Sequence, residues 1–177
     1  VFSTCCAFAA LKADGTIHAW GLSSSGGSNA PTTGTFVSIV STSNAFAALK
    51  SDGSINAWGD SGYGGSGAPD NGNFVSVSSN YYAFAALASN GTINAWGHSS
   101  NGGSGAPSGS FVTVFSTASA FAALKADGTI NAWGSSSYGG SGAPSGSFVS
   151  VFSAKYAFAA LKADGTINAW GSSSYGG

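Results

Sequence analysis

The 177-residue chain contains no Glu, Arg, Gln or Met, and all of its formal charge rests on five lysines and six aspartates, net −1. Nucleic-acid binding draws on clustered Lys and Arg that replace counterions, so a chain without arginine and with dispersed lysines is not built for it. The same shortage removes an electrostatic footprint for a membrane surface. No apolar run approaches the roughly 20 residues of a spanning helix, so membrane insertion is not expected. Helix signals are lacking too, because Gly and Ser interrupt every 3.6-residue period. Cysteine is limited to the adjacent Cys5 and Cys6. A bridge between neighbours is strained and two ligands make no zinc site. Two readings stay open for this pair: small residues at a variable position, or a disulfide to another chain. The opening residues Val1 to Thr4 read as the inside of a repeat rather than as a secretion signal.

Against these shortages stand 43% apolar residues, 28 glycines, twelve Phe, six Tyr and five Trp. Each aromatic buries roughly 150–250 Å², which makes the chain a folding one rather than a disordered Gly/Ser tract. The tryptophans fall at Trp20, Trp58, Trp96, Trp133 and Trp170, a step of 38, 38, 37 and 37 residues, and Pro31, Pro69, Pro107 and Pro144 keep the same step. Such a period marks units that bury their apolar faces on one another. The reading is a single repeat domain over 1–177, with units at approximately 1–35, 36–73, 74–110, 111–147 and 148–177.

The fourth unit shows the local pattern. Ala120 to Lys125 and Thr129 to Gly134 read as two strands around Asp127-Gly128, and Phe111 to Val114 as a third. Asp-Gly at a hairpin predicts a two-residue type I′ turn, with positive φ at both central residues. It recurs at Asp14, Asp52 and Asp164, with Asn90-Gly91 in the third unit. Alternation sets Phe121 and Ala123 against Ala122 and Leu124, so both sheet faces are apolar and covered. His18 replaces Asn56, Asn94, Asn131 and Asn168 and reads as a hydrogen-bonding strand residue. The fold class is all-β, a β-propeller-like array of five units of 37–38 residues. Each unit is an antiparallel sheet of three or four strands around the Asp-Gly hairpin. The alternative is an open β-solenoid or a fibre-forming stack.

The run from Phe158 through Leu161-Lys162, Asp164-Gly165 and Ile167 to Trp170-Gly171, preceded by Val149 to Ser153, resembles the repeat of the regulator of chromosome condensation superfamily. It is nearest its short-repeat branch, represented by beta-lactamase inhibitor protein II. The resemblance implies a β-propeller, typically of seven blades, that binds partner proteins through loops at one end. The chain departs from that pattern in several places. The Gly and His before the Ala-Phe-Ala-Ala-Leu strand are replaced by Cys5-Cys6, Ser43-Asn44, Tyr81-Tyr82, Ala118-Ser119 and Lys155-Tyr156, the Gly-Gln after Trp-Gly is Gly-Gly, and the units number five. Lys12, Lys50, Lys125 and Lys162 are equivalent positions. A stack with strands about 4.8 Å apart would set them side by side, whereas one sheet per unit separates them, which favours the propeller.

Comparison among the units separates fixed from free positions. The dipeptide before the middle strand and the loop after Trp-Gly vary most, and variable exposed loops carry function. They supply the partner-binding candidates Tyr81, Tyr82, Lys155, Tyr156, Tyr63, Tyr138, Tyr175, Asp60 and His98, a Tyr/Ser/Gly/Asn composition typical of adaptable binding surfaces. Asp60, His98 and Ser135 share one repeat position, but a catalytic triad needs bonds of about 2.6–3.2 Å that sit poorly with one residue per sheet. No catalytic residue, metal site or cofactor is assigned. The Asp-Gly pairs are too dispersed for a calcium cage, and Gly139 to Gly142 lacks the Lys and helix of a phosphate loop. Asn90-Gly91-Thr92 is an N-glycosylation triplet on a hairpin tip. The function expected is a non-enzymatic scaffold binding a protein or glycan partner through its variable loops. The alternative is an extracellular structural protein that assembles with itself end to end.

Overall fold

The computed structural model describes residues 1–177 and contains five three-stranded antiparallel sheets, one per repeat. They comprise β1 (Phe2–Ser3), β2 (Ala7–Leu11) and β3 (Ile17–Gly21); β4 (Phe36–Ser41), β5 (Ala45–Lys50) and β6 (Ile55–Gly59); and β7 (Phe74–Ser79), β8 (Ala83–Ala88) and β9 (Ile93–Gly97). The last two are β10 (Thr113–Ser116), β11 (Ala120–Leu124) and β12 (Ile130–Gly134), then β13 (Ser150–Ser153), β14 (Ala157–Leu161) and β15 (Ile167–Gly171). Each unit thus has three strands in simple meander order, with the Ala-Phe-Ala-Ala-Leu strand in the middle. The solenoid with strands stacked unit on unit is not what forms. The loops after Trp-Gly are not wholly irregular: each opens with a three-residue 3-10 turn, such as Ser61–Tyr63 and Ser136–Tyr138.

The hairpin tips differ from the type I′ expectation. Only glycine takes positive φ there, +81° at Gly15 and +85° at Gly128, while the preceding Asp stays in the ordinary region. Lys12 O accepts from Gly15 N–H and Lys12 N–H donates to Thr16 O, which is a three-residue loop closed by a glycine bulge. The aspartate's role is different: Asp14 Oδ1 accepts from Thr16 N–H at 2.9 Å and from its hydroxyl at 2.7 Å. Asp52, Asp127 and Asp164 serve likewise, and Asn90 substitutes because its carbonyl oxygen accepts the same two bonds from Thr92.

Each sheet presents two different apolar faces, and the alternation read from the sequence assigns them correctly. Phe84, Ala86 and Trp96 pack on Ala45, Ala47, Leu49 and Ile55 of the preceding unit, and the same set recurs at every junction. Phe and Trp face each other across the hairpin, ring centroids 5.1 Å apart at Phe84–Trp96. The indole N–H reaches back into the preceding unit: Trp58, Trp96, Trp133 and Trp170 donate to Gly26, Gly64, Gly102 and Gly139 O, each at 3.0 Å. Gly64 is required for this fit, because it holds φ +89° and an added Cβ would lie 2.7 Å from the Phe84 ring. The expected hydrogen-bonding role at the Asn strand position is not met. Asn56 and Asn168 Oδ1 are buried without a partner, and the exposed His18 stacks on Trp20 instead.

The inner strands β1, β4, β7, β10 and β13 touch in succession, and successive sheets pack face to face like blades. The run is an open arc whose two end sheets each leave an apolar face exposed. Phe8 and Trp20 are 46% and 42% exposed where their equivalents are buried, and Ile167 is 66% exposed against 9% for Ile130. Lys50, Lys125 and Lys162 lie over Phe36, Phe111 and Phe148 at 5.4–5.7 Å from the ring centroid, each in a different unit.

Two outcomes follow. Trp96→Phe removes a buried bond and strands the Gly64 carbonyl, so it lowers stability by about 1–3 kcal/mol in urea titrations. Trp20→Phe, with no acceptor to lose, changes it by under about 0.5 kcal/mol. The second concerns acid. Bonds from Thr16, Ser54, Thr129 and Thr166 hold Asp14, Asp52, Asp127 and Asp164 below the ordinary carboxylate value. A depressed folded value stabilises above the unfolded carboxyl value of about 3.9 and is lost as pH falls through the folded one. The thermal midpoint therefore drops below about pH 4, and replacing all four by Asn flattens that drop.

Candidate functional site

The register places both variable segments on one end of the array. Ala45 pairs with Gly59 and Leu49 with Ile55, so the dipeptide before the middle strand and the loop after Trp-Gly share an end, and the Asp-Gly tips occupy the other. The dipeptides are stitched across units through main chain: Cys5 N–H donates to Ser43 O, Ser43 to Tyr81 O, Tyr81 to Ala118 O and Ala118 to Lys155 O, at 2.8–3.1 Å. Any residue but proline provides both groups, which leaves the side chains otherwise free to vary.

A residue that the sequence reading passed over holds this end together. Thr42 Oγ1 accepts from Ala45 N–H at 3.1 Å and donates to Tyr63 O at 3.0 Å, tying dipeptide to loop. Thr4 and Thr117 make the same link to Ser25 O and Tyr138 O. Asn80 does more, accepting from Tyr82 and Ala83 N–H at 2.8 Å each and donating to Asn101 O at 2.7 Å. The signal was present in the sequence as Thr, Thr, Asn, Thr and Ala three residues before each middle strand. Ala154, in the fifth unit, lacks the linking side chain.

The structure brings most of the candidate residues together in two aromatic groups. Tyr82 stacks on Tyr63 at 5.7 Å and lies 6.4 Å from Tyr81 and 6.1 Å from His98. Tyr156 sits between Tyr138 at 5.2 Å and Tyr175 at 4.5 Å. In both groups the dipeptide tyrosine bridges the loop of its own unit and that of the unit before. Lys155 Nζ lies 5.0 Å from the Tyr156 ring and 6.0 Å from that of Tyr81. Tyr156, first by hydrogen bonding and then by charge, followed by Tyr81, raises the Lys155 ammonium above the ordinary lysine value.

Asp60 and Asn90 fall outside these groups. Asp60 precedes the 3-10 turn Ser61–Tyr63 and its Oδ1 accepts from Gly62 N–H at 2.8 Å. His98, one sheet further along the arc, and Ser135, two sheets further, hold the same place before their own turns. Asn90 stands on a hairpin tip at the far end from the tyrosines. Cys5 and Cys6 are exposed free thiols: Cys5 Sγ lies 2.9 Å from Asn44 Oδ1 and 2.7 Å from Cys6 Sγ, and this Cys5 contact first raises the Cys6 thiol above its ordinary value.

The chemistry is therefore segregated along the axis. All six tyrosines and Lys155 occupy one end, while Lys12, Lys50, Lys125 and Lys162 lie with Asp14, Asp52, Asp127 and Asp164 at the other. Asp70 lies beside Ile55 and Asn56, away from the tyrosines.

The fold is that of RCC1-like propellers. The ectodomain of the Physcomitrella patens receptor kinase CR4 superposes with a TM-score of 0.69 at 20% identity, over 93% of this chain and 49% of that one. The CRINKLY WD40 ectodomain of the Arabidopsis thaliana receptor kinase ACR4 gives 0.67 at 19%, over 96% and 61%. Prp20p of Saccharomyces cerevisiae, the yeast RCC1, gives 0.64 at 16%, over 95% and 56%. The chain thus spans about half to three-fifths of these structures. No protein-family model and no curated protein matches it in sequence.

Ala154→Thr restores the missing link toward Ala157 N–H and Tyr175 O. It raises stability by about 0.5–1.5 kcal/mol, read as a higher urea midpoint at unchanged slope.

Proposed function

We propose that this chain is a non-enzymatic repeat scaffold that binds a protein partner through its tyrosine end. The observation that carries the reading is the gathering of all six tyrosines into two groups on one end of a rigid β array. Tyrosine offers a large amphipathic surface at low conformational cost and is enriched where proteins bind proteins. The hydrogen bonds that position these residues run through main chain, as at Tyr63 O and Tyr138 O, so the phenol groups are not needed to hold the fold.

Stacking favours a protein over a glycan. Sugars pack on free aromatic faces, but Tyr63 and Tyr82 cover each other at 27° between planes, and Tyr156 is flanked by Tyr138 and Tyr175. The rings left most open are Tyr81 and Tyr175, 48% and 62% exposed. The comparison with Prp20p supports the same reading: that protein has binding properties to Gsp1p and histones, and Kap60 is seen bound to it.

The test compares proteins captured from extract by the immobilised chain, by a Tyr82→Ala, Tyr156→Ala double variant, and by a Lys50→Gln, Lys125→Gln control, with a glycan array alongside. Loss of two central tyrosines weakens capture by tenfold or more, on the scale of about 2 kcal/mol for a hot-spot tyrosine, while the control keeps it. Equal capture by both variants, or recognition of glycans alone, overturns the reading.

A further inference from the structure

Inner-strand ends from units two to five enclose a concave mouth of about 460 Å³ on the inner side of the arc. Each of those units gives it one serine: Ser41, Ser79, Ser116 and Ser153. Tyr81, Ala118 and Lys155 also line it. Ala118 lies between the other two in the main-chain ladder, and its methyl leaves open the space that a larger side chain would fill. The Lys155 ammonium is held beside that gap by the rings of Tyr156 and Tyr81.

The charge balance of this mouth is one-sided. No carboxylate is among its lining residues, and Asp60, which shares the tyrosine end, is engaged with Gly62 N–H. The four lysines at the other end differ, because each has an aspartate two residues on in its own hairpin. Lys155 also breaks the repeat, since its equivalents are Cys5, Ser43, Tyr81 and Ala118.

We propose that this mouth receives an acidic side chain, Asp or Glu, of the protein that the tyrosine end binds, with its carboxylate against the Lys155 ammonium and beside Tyr81. This rests on the partner-binding role proposed above and adds the chemistry of the contact. An ammonium donating to a carboxylate is among the stronger hydrogen bonds, and the docked partner excludes the water that would otherwise screen it. Of the four serines, Ser41 and Ser116 already donate to Ser3 O and Ser79 O, so Ser79 and Ser153 are the ones whose hydroxyls add neutral donors for the same anion.

The test is an NMR titration of the isotope-labelled 177-residue chain with hexaglutamate peptide, hexaserine peptide and 3′-sialyllactose in parallel, with Lys155→Gln as the variant. Lys155 is exposed, and an unchanged thermal midpoint verifies that the variant folds. Hexaglutamate is expected to shift the amides of Ser79 to Tyr81, Ser116 to Ala118 and Ser153 to Tyr156, with affinity at least about tenfold weaker in Lys155→Gln. Shifts confined to the hairpin lysines, equal affinity in the variant, or a response to sialyllactose without one to hexaglutamate each overturn the proposal. Including Lys155→Gln in the capture assay separates the two readings. Capture lost in the tyrosine variant but intact in Lys155→Gln sinks the acidic contact alone, and capture intact in both sinks the tyrosine end as well.

Discussion

The structure depends on one contact made four times: an indole N–H that leaves its own sheet to meet a glycine carbonyl of the sheet before. That bond fixes the distance and tilt between neighbouring blades, and the Phe ring stacked on the same indole fills the space so defined. Glycine follows as a requirement rather than a preference, since at Gly64 a methyl group would displace the Phe84 ring. Alanine on the opposing face follows as well. Ala45 and Ala47 are at most 1% exposed, and anything larger would push the ring and its indole away from the carbonyl.

Blade existence, the number of blades and the sorting of their faces were legible in the sequence, because each depends on local period and on residues repeated at a fixed step. The alternation of Phe121 and Ala123 against Ala122 and Leu124 reads directly as two packing faces. Turn type was not legible, because Asp-Gly suits both a two-residue I′ loop and a three-residue loop closed by a bulge, and the choice rests on Lys12 and Thr16 pairing around it. The position of Thr42 and Asn80 was equally hidden. A polar residue before a strand looks like any loop residue until its two partners, one of them about twenty positions away, are known. The open arc depends on which blade meets which, and no single unit encodes that.

Of the candidate site, the sequence made legible which segments vary but not how their side chains group. Variation among the units singled out one end, and the meander register then brought Tyr63, Tyr82 and His98, and separately Tyr138, Tyr156 and Tyr175, into contact across unit boundaries. Their grouping required the third dimension, since each group mixes residues from two repeats. The segregation of lysine and aspartate to the opposite end has a local cause: both belong to the hairpin tip, where the aspartate closes the turn and the lysine covers a Phe ring.

The ladder of amides linking Cys5, Ser43, Tyr81, Ala118 and Lys155 asks nothing of the side chains it aligns. Five adjacent addresses on a fixed frame are thereby open to rewriting by single-codon change, without renegotiating how the blades fit. Such an array can acquire a new recognition surface faster than it can lose its architecture.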